Sequence, residues 1–373
     1  MLKPRSAVAK VKEYRPPLGE RRGVRLDFNE NTAGCSPRVL AKLRSLGLEE
    51  LARYPERESV EVRVAEFLGL PSAQVLLTNG VDEGIHLLCQ TYIEPGDELL
   101  IPAPTYAMYE IYAAGAGAEV VAAPAAEDFR FPAVELVQRI TPRTRLIAIA
   151  TPNNPTGAVA GEAELLKLAA AAPDAALLVD EAYFEFWGKT LLPHVGKAPN
   201  LFVTRTFSKA YGLAGLRAGV LAGSEEQMHF VRRVGSPYSV NAAALACLPE
   251  ALADAAYTGD YVAQVRRGRE RMQETLRELG IRFWPSEANF VLCRIGERHL
   301  TFVEAMRRRG ILVRDRNSDP GCAGCVRITI GTDAHTDAAL AALREVAAEI
   351  SPKHQAPSNK PNPEKSGVAV KQA

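Results

Sequence analysis

Between residues 74 and 222, short apolar runs alternate with longer segments patterned like helices. The runs are Gln74–Thr78, Glu98–Ile101, Glu119–Ala122, Arg145–Ala150, Ala175–Val179 and Leu201–Thr204, five of them leading into polar or glycine-containing clusters. Because they are apolar on both faces, they predict strands of a mostly parallel sheet covered by helices, a doubly wound α/β layer. Beyond residue 222 helical patterns dominate: Ser224 and Gln227 have the spacing of a capping box, and Tyr261–Leu279 predicts a long amphipathic helix stopped by Gly280. Ile311–Arg314 and Val326–Ile330 predict strands of a smaller α+β domain, closed by a helix near 336–350. Residues 1–33, rich in proline and charge and without sustained periodicity, predict an extended arm. The division expected is an arm over 1–40 that joins the smaller domain, a large domain over 41–240, the small domain over 241–350, and a disordered tail over 351–373.

Composition narrows the function classes. A chain of 373 residues accommodates two or three compact units. With 45 Lys+Arg against 44 Asp+Glu there is no basic excess for nucleic acid or a membrane surface. Six cysteines are too sparse for a disulfide scaffold and fit a reducing compartment. The N-terminus has no apolar signal core, and no apolar run is long enough to span a bilayer, so a cytoplasmic protein is expected.

In open parallel sheets, ligands bind beyond the carboxyl ends of the strands, and the polar clusters fall there. Asn79-Gly80-Val81-Asp82-Glu83 follows the first run and opens a helix whose free N–H groups suit a phosphate. Tyr106, Met108 and Tyr109 follow the second, Thr151–Gly157 (TPNNPTG) the fourth, Asp180-Glu181-Ala182-Tyr183 the fifth, and Arg205–Lys209 with Gly212–Arg217 the sixth. A lysine, an aspartate, amide and hydroxyl donors and an aromatic ring together match the needs of pyridoxal phosphate: an amine for a Schiff base, a carboxylate at the pyridine nitrogen, donors for the ring oxygen and a phosphate cup. The Cys322–Cys325 CxxC stands alone, and the six histidines form no HExxH-type pair, so no metal is expected.

The text LDFNEN (26–31), RYP (53–55), TNGVDE (78–83), PTYAMY (104–109), PNNPTG (152–157), VDEAY (179–183), TFSKAYGLAGLRAG (206–219), ANF (288–290) and RITIGT (327–332) resembles the fold-type I, class I/II aminotransferases, and more closely the histidinol-phosphate aminotransferase family. The resemblance implies Lys209 as Schiff-base lysine and proton shuttle. It implies Asp180 at the pyridine nitrogen, Asn154 and Tyr183 at the ring oxygen, and Tyr106 stacked on the ring. Gly80, Val81, Asp82, Thr206, Ser208 and Arg217 would hold the phosphate, joined by Tyr54 from a neighbouring subunit, which implies a homodimer with shared sites. Arg327 and Arg314 would bind the substrate's acidic group, with Tyr14 closing the site. Two arginines suit a phosphate dianion better than a carboxylate. The expected reaction is transamination of histidinol phosphate with 2-oxoglutarate; an aromatic amino-acid aminotransferase or a phosphoamino-acid decarboxylase on the same scaffold remains open.

Overall fold

The computed structural model describes residues 2–15 and 22–350; the expected tail and Pro16-Pro17 of the arm lie outside them. Its largest element is a seven-stranded sheet. The strand order is Val75–Asn79, Ala218–Ala222, Leu201–Thr206, Ala176–Asp180, Thr144–Ala150, Glu98–Ala103 and Glu119–Pro124. All neighbours are parallel except those of Ala218–Ala222, which runs antiparallel to both its partners.

Strands that read as continuous apolar runs divide their side chains between two cores. Leu146, Ala148, Leu178 and Phe202 face one cluster with Ile85, Leu88 and Tyr109, whereas Ile147, Ile149, Leu177, Val179 and Val203 face another with Leu165 and Leu168. Period-2 alternation is thus present but hidden, because both faces are covered. Each fully buried aliphatic side chain contributes about 1.5–3 kcal/mol. Glu119–Pro124 departs from this: it is an edge strand, and most of its side chains are at least partly solvated.

Ala218–Ala222 was not predicted as a strand, because its Ala-Gly-Val-Leu-Ala text lacks strong strand formers and follows directly on a glycine-rich motif. The glycine has a packing reason. A Cβ on Gly219 would lie 2.6 Å from the Gly80 carbonyl carbon, so only glycine lets this strand pass beneath the turn at Gly80.

The second sheet is antiparallel, ordered Arg314–Asp315, Cys325–Thr329, Phe290–Arg294, Arg282–Phe283. Helices Ala255–Glu278, His299–Arg308 and Asp333–Ile350 supply Val265, Met272, Leu276, Phe302, Met306 and Leu343 to the cluster that also takes Val291, Cys293, Val326 and Ile328 from this sheet. The single strand expected over Ile311–Arg314 is instead two. Ile311–Leu312 pairs in parallel with Val24–Arg25, and after Val313 the chain changes partner, so that Arg314–Asp315 joins Cys325–Thr329.

Two other local expectations are corrected. The N-terminal segment is not uniformly extended: Ser6–Lys10 is helical, anchored nearby by Arg5 Nη2 donating to Gly115 O at 2.8 Å, and Val24–Arg25 is a strand. At Ser224 only half of the capping box forms, because the hydroxyl accepts from the Gln227 N–H while the Gln227 side chain turns to the Tyr92 hydroxyl at 2.8 Å. The long helix begins earlier than its apolar pattern, at Ala255, behind an Asp254 cap. Among the described residues no helix is long and apolar enough to cross a membrane.

Candidate active site

The ends of the parallel strands bring the predicted clusters together. Asp180 closes its strand fully buried, accepting from the Tyr109 hydroxyl at 2.6 Å and the Ala182 N–H at 3.1 Å. Burial pushes its carboxyl up to about 6, and these donors hold it from rising further, so it is ionised near neutrality. Tyr109, assigned no role from sequence, is thus the main support of this carboxylate; its place three residues after Tyr106 was the available signal. Glu181 turns away and pairs with Arg205 at 2.6 Å, a buried brace behind the strand ends.

Lys209 lies just beyond the neighbouring strand, its Nζ donating to Phe28 O at 3.2 Å and standing 6.0 Å from the Tyr183 ring centre. Burial first, and then the positive charge of Arg327, bring its amine down to about 8, so that its free-base fraction near neutral pH, though minor, is far above that of an ordinary lysine. Tyr183 itself accepts from Asn29 Nδ2 at 2.9 Å, and Asn29 Oδ1 accepts from Thr329 Oγ1 at 2.9 Å. Asn29, in the left-handed region at φ 55°, therefore ties the N-terminal segment to both sheets. The FNEN text carried this residue, but nothing in its local pattern indicated a partner roughly 300 residues away.

Around Gly80 the chain forms a cradle. Gly80 caps helix Val81–Tyr92 at φ 77°, and a Cβ there would meet Arg217 Nη2 at 2.5 Å. Arg217 donates to Asp82 Oδ2 at 3.1 Å, and the Tyr106 hydroxyl donates to Asp82 Oδ1 at 2.8 Å. Thr206 and Ser208 are buried alongside, with the Ser208 N–H donating to Thr206 Oγ1 at 3.1 Å. A helix N-terminus, an arginine and two hydroxyls at one turn make an anion cup.

The two arginines lie on neighbouring strands of the small sheet. Arg314 and Arg327 are direct partners in the antiparallel ladder. Arg327 is buried, donating from Nη2 to Asp27 O at 2.8 Å and from Nη1 to Asn154 Oδ1. Burial and the charges of Arg316 and Arg314 lower it to about 10. Arg314 Nη2 donates to the Tyr14 hydroxyl at 3.2 Å, which brings the arm to this end of the site. Tyr54 is placed elsewhere: it is exposed, 4.4 Å between ring centres from Tyr238, and among the described residues no hydrogen bond or ring contact joins it to the strand-end cluster. Cys322 and Cys325 are buried free thiols packed with Phe129, Trp284 and Leu292.

This arrangement fits pyridoxal phosphate. It has a buried, partly deprotonated lysine, a buried carboxylate at the adjacent strand end, and a cradle at Gly80 that any side chain would fill.

The family model "aminotransferase class I and II" matches residues 21–343. A histidinol-phosphate aminotransferase of Roseiflexus castenholzii is 37% identical over 366 residues, spanning 92% of this chain and 98% of its own length. Among solved structures, histidinol-phosphate aminotransferase from Sinorhizobium meliloti, in complex with pyridoxal-5'-phosphate, aligns with a TM-score of 0.85 at 25% identity over 94% of this chain and 99% of that one. Aspartate aminotransferase from Thermus thermophilus aligns at 0.75 and 25% identity, over 87% and 92%. Fold, site chemistry and relatives agree that this chain belongs to the class I and II aminotransferases and is an aminotransferase enzyme.

Proposed function

We propose that this enzyme transfers an amino group between L-histidinol phosphate and 2-oxoglutarate, running biosynthetically from glutamate to imidazole acetol phosphate. The observation that carries the reading is the ladder pairing of Arg314 with Arg327, each keeping a buried guanidinium nitrogen without a partner among the described residues. The names of the relatives support the same substrate.

Pyridoxal phosphate would be held by the Gly80 turn with Val81 and Asp82, by Thr206, Ser208 and Arg217, by Asp180 at its ring nitrogen, by Asn154 and Tyr183 at its ring oxygen, and by Tyr106. When bound it supplies the aldehyde that carries the amino group and the ring that accepts carbanion electrons. Lys209 Nζ takes the proton from the substrate's α-carbon and, with its pKa near 8, returns it readily. Asp180, ionised and supported by Tyr109, keeps a proton on the group it faces. Arg327 fixes the acidic end of the substrate, and Tyr14 with Arg314 covers it. Glutamate must use the same arginine when it donates its amino group, so the pocket admits a carboxylate as well.

The working unit in this reading is a cytoplasmic homodimer in which the exposed Tyr54 reaches a partner's phosphate cup, built from the large and small domains expected from sequence. Steady-state assay of histidinol phosphate with 2-oxoglutarate tests it: glutamate should form in step with substrate loss and without carbon dioxide. Preferential turnover of phenylalanine, or release of carbon dioxide without use of a keto acid, would overturn it.

A further inference from the structure

The segment between the two arginines carries a third. Arg314 stands opposite Arg327 and Asp315 opposite Val326, and the Arg316 N–H donates to Cys325 O at 2.9 Å, continuing the register by one residue. Side chains alternate along a strand, so Arg314 and Arg316 project to the face that Arg327 occupies. Asp315 projects to the other face and accepts there from His299 Nδ1 at 3.0 Å. Among the described residues all three guanidinium groups keep one buried nitrogen without a partner: Arg314 Nη1, Arg316 Nε and Arg327 Nε; Arg294 Nε, further along the same face, is a fourth, but its guanidinium is engaged by the Trp284 ring and the Cys325 thiol. Buried donors are costly to leave unpaired, and the adjoining three of Arg314, Arg316 and Arg327 mark a place for an acceptor with several oxygens.

The charge count points the same way. Arg316 is paired with Asp319, both largely buried. Three guanidinium charges beside one carboxylate leave two positive charges, the complement of a phosphate ester's dianion. Besides these groups, the face carries Arg294, whose charge is spent on the Trp284 ring and the Cys325 thiol away from the other three, and it is bordered by the hydroxyls of Tyr183 and Tyr14, the Cys322 thiol and, next to Arg327, the Lys209 amine. After burial, Arg316 weighs more heavily on Arg327 than Arg314 does.

We propose that Arg316, oriented by Asp319, is the third cation of the substrate's anion pocket and sets its preference for a phosphate dianion over a carboxylate. This rests on the histidinol-phosphate reading of the site. A carboxylate brings one charge and two oxygens, leaving a positive charge uncompensated and a buried donor unpaired; a phosphate dianion answers both.

The test uses the holoenzyme, with half-reaction rates for histidinol phosphate and for glutamate measured across the second ionisation of the phosphate near pH about 6. Arg316→Gln should raise the concentration of histidinol phosphate needed for half-maximal rate by roughly tenfold to a hundredfold, with a clearly smaller rise for glutamate. It should also flatten the gain in affinity that the wild-type enzyme shows as the monoanion becomes a dianion. Inorganic phosphate, as a competitor against glutamate, should weaken in parallel. Arg316→Lys, which keeps the charge, should retain the pH-dependent gain and so separate electrostatics from misfolding. Equal losses for both substrates, an unchanged pH profile in Arg316→Gln, or a lysine variant indistinguishable from the glutamine variant would overturn the proposal. If the wild-type enzyme does not favour histidinol phosphate over histidinol, the functional reading fails first, and the proposal with it.

Discussion

The two ends of the site treat buried charge in opposite ways. At the strand ends of the large sheet the three charged groups expected at the cofactor are already answered by the protein: Asp180 by Tyr109 and Ala182, Lys209 by Phe28 O, Arg217 by Asp82. At the small sheet, Arg314, Arg316 and Arg327 share a face and, among the described residues, each retains an unpaired buried nitrogen. A self-satisfied cluster is preorganised, and it does the same chemistry for every substrate. An unsatisfied one is completed only by its ligand, and there specificity resides, because a ligand of the wrong charge leaves the cost in place.

Substitutions should separate the two ends. Lys209→Ala should cost the most, at least about 10⁴-fold in rate for every amine, while circular dichroism shows an intact fold. Asp180→Asn keeps an acceptor for Tyr109 but removes the charge, and we expect a fall of about 10²–10³-fold, the same for phosphate and carboxylate substrates, in half-reaction rates. Arg327→Gln should raise KM by roughly 10–100-fold with a smaller change in kcat, since the interaction holds substrate as well as transition state. A substrate-dependent loss in the lysine or aspartate variants would blur the distinction; a uniform fall in kcat in the arginine variant would erase it.

The smallest effect is thermodynamic. Lys209 titrates near 8 in the folded protein against an ordinary 10.5, so the unfolded chain binds more protons between those values. The cofactor-free wild-type protein should therefore gain stability as pH rises through that window, relative to Lys209→Met, and the two should diverge most below it. Thermal unfolding of both proteins at several pH values reads this directly; parallel curves would mean that the amine is not held in its depressed state.

The strand-end half of the site was legible because its residues lie within short, ordered motifs, each just past an apolar run, where the parallel-sheet rule places ligands. The arginine pair was legible from two neighbouring strand patterns, although the change of partner at Val313 was not, since a one-residue transfer between sheets leaves no mark in hydrophobicity. Tyr109 sat in view within a quoted motif, but its bond to Asp180 depends on how helix Met108–Ala116 packs under the sheet. Asn29, Arg316 and the Ala218–Ala222 strand needed the tertiary fold: the first two act across a sheet, and the last is made of residues that favour no strand on their own. Tyr54 completes no site within its own chain, so its predicted role awaits a second copy.

The most direct measurement is a half-reaction on the yellow holoenzyme, mixing histidinol phosphate, histidinol and phenylalanine in turn and following loss of the visible absorbance. If the unpaired guanidinium nitrogens of Arg314, Arg316 and Arg327 hold the substrate's acidic end as proposed, histidinol phosphate should react more efficiently than histidinol by at least about a hundredfold, and phenylalanine should trail it clearly. Equal rates with and without the phosphate, or a faster response to phenylalanine, would contradict the account and return Arg314 and Arg316 to the role of neighbours of an ordinary carboxylate site.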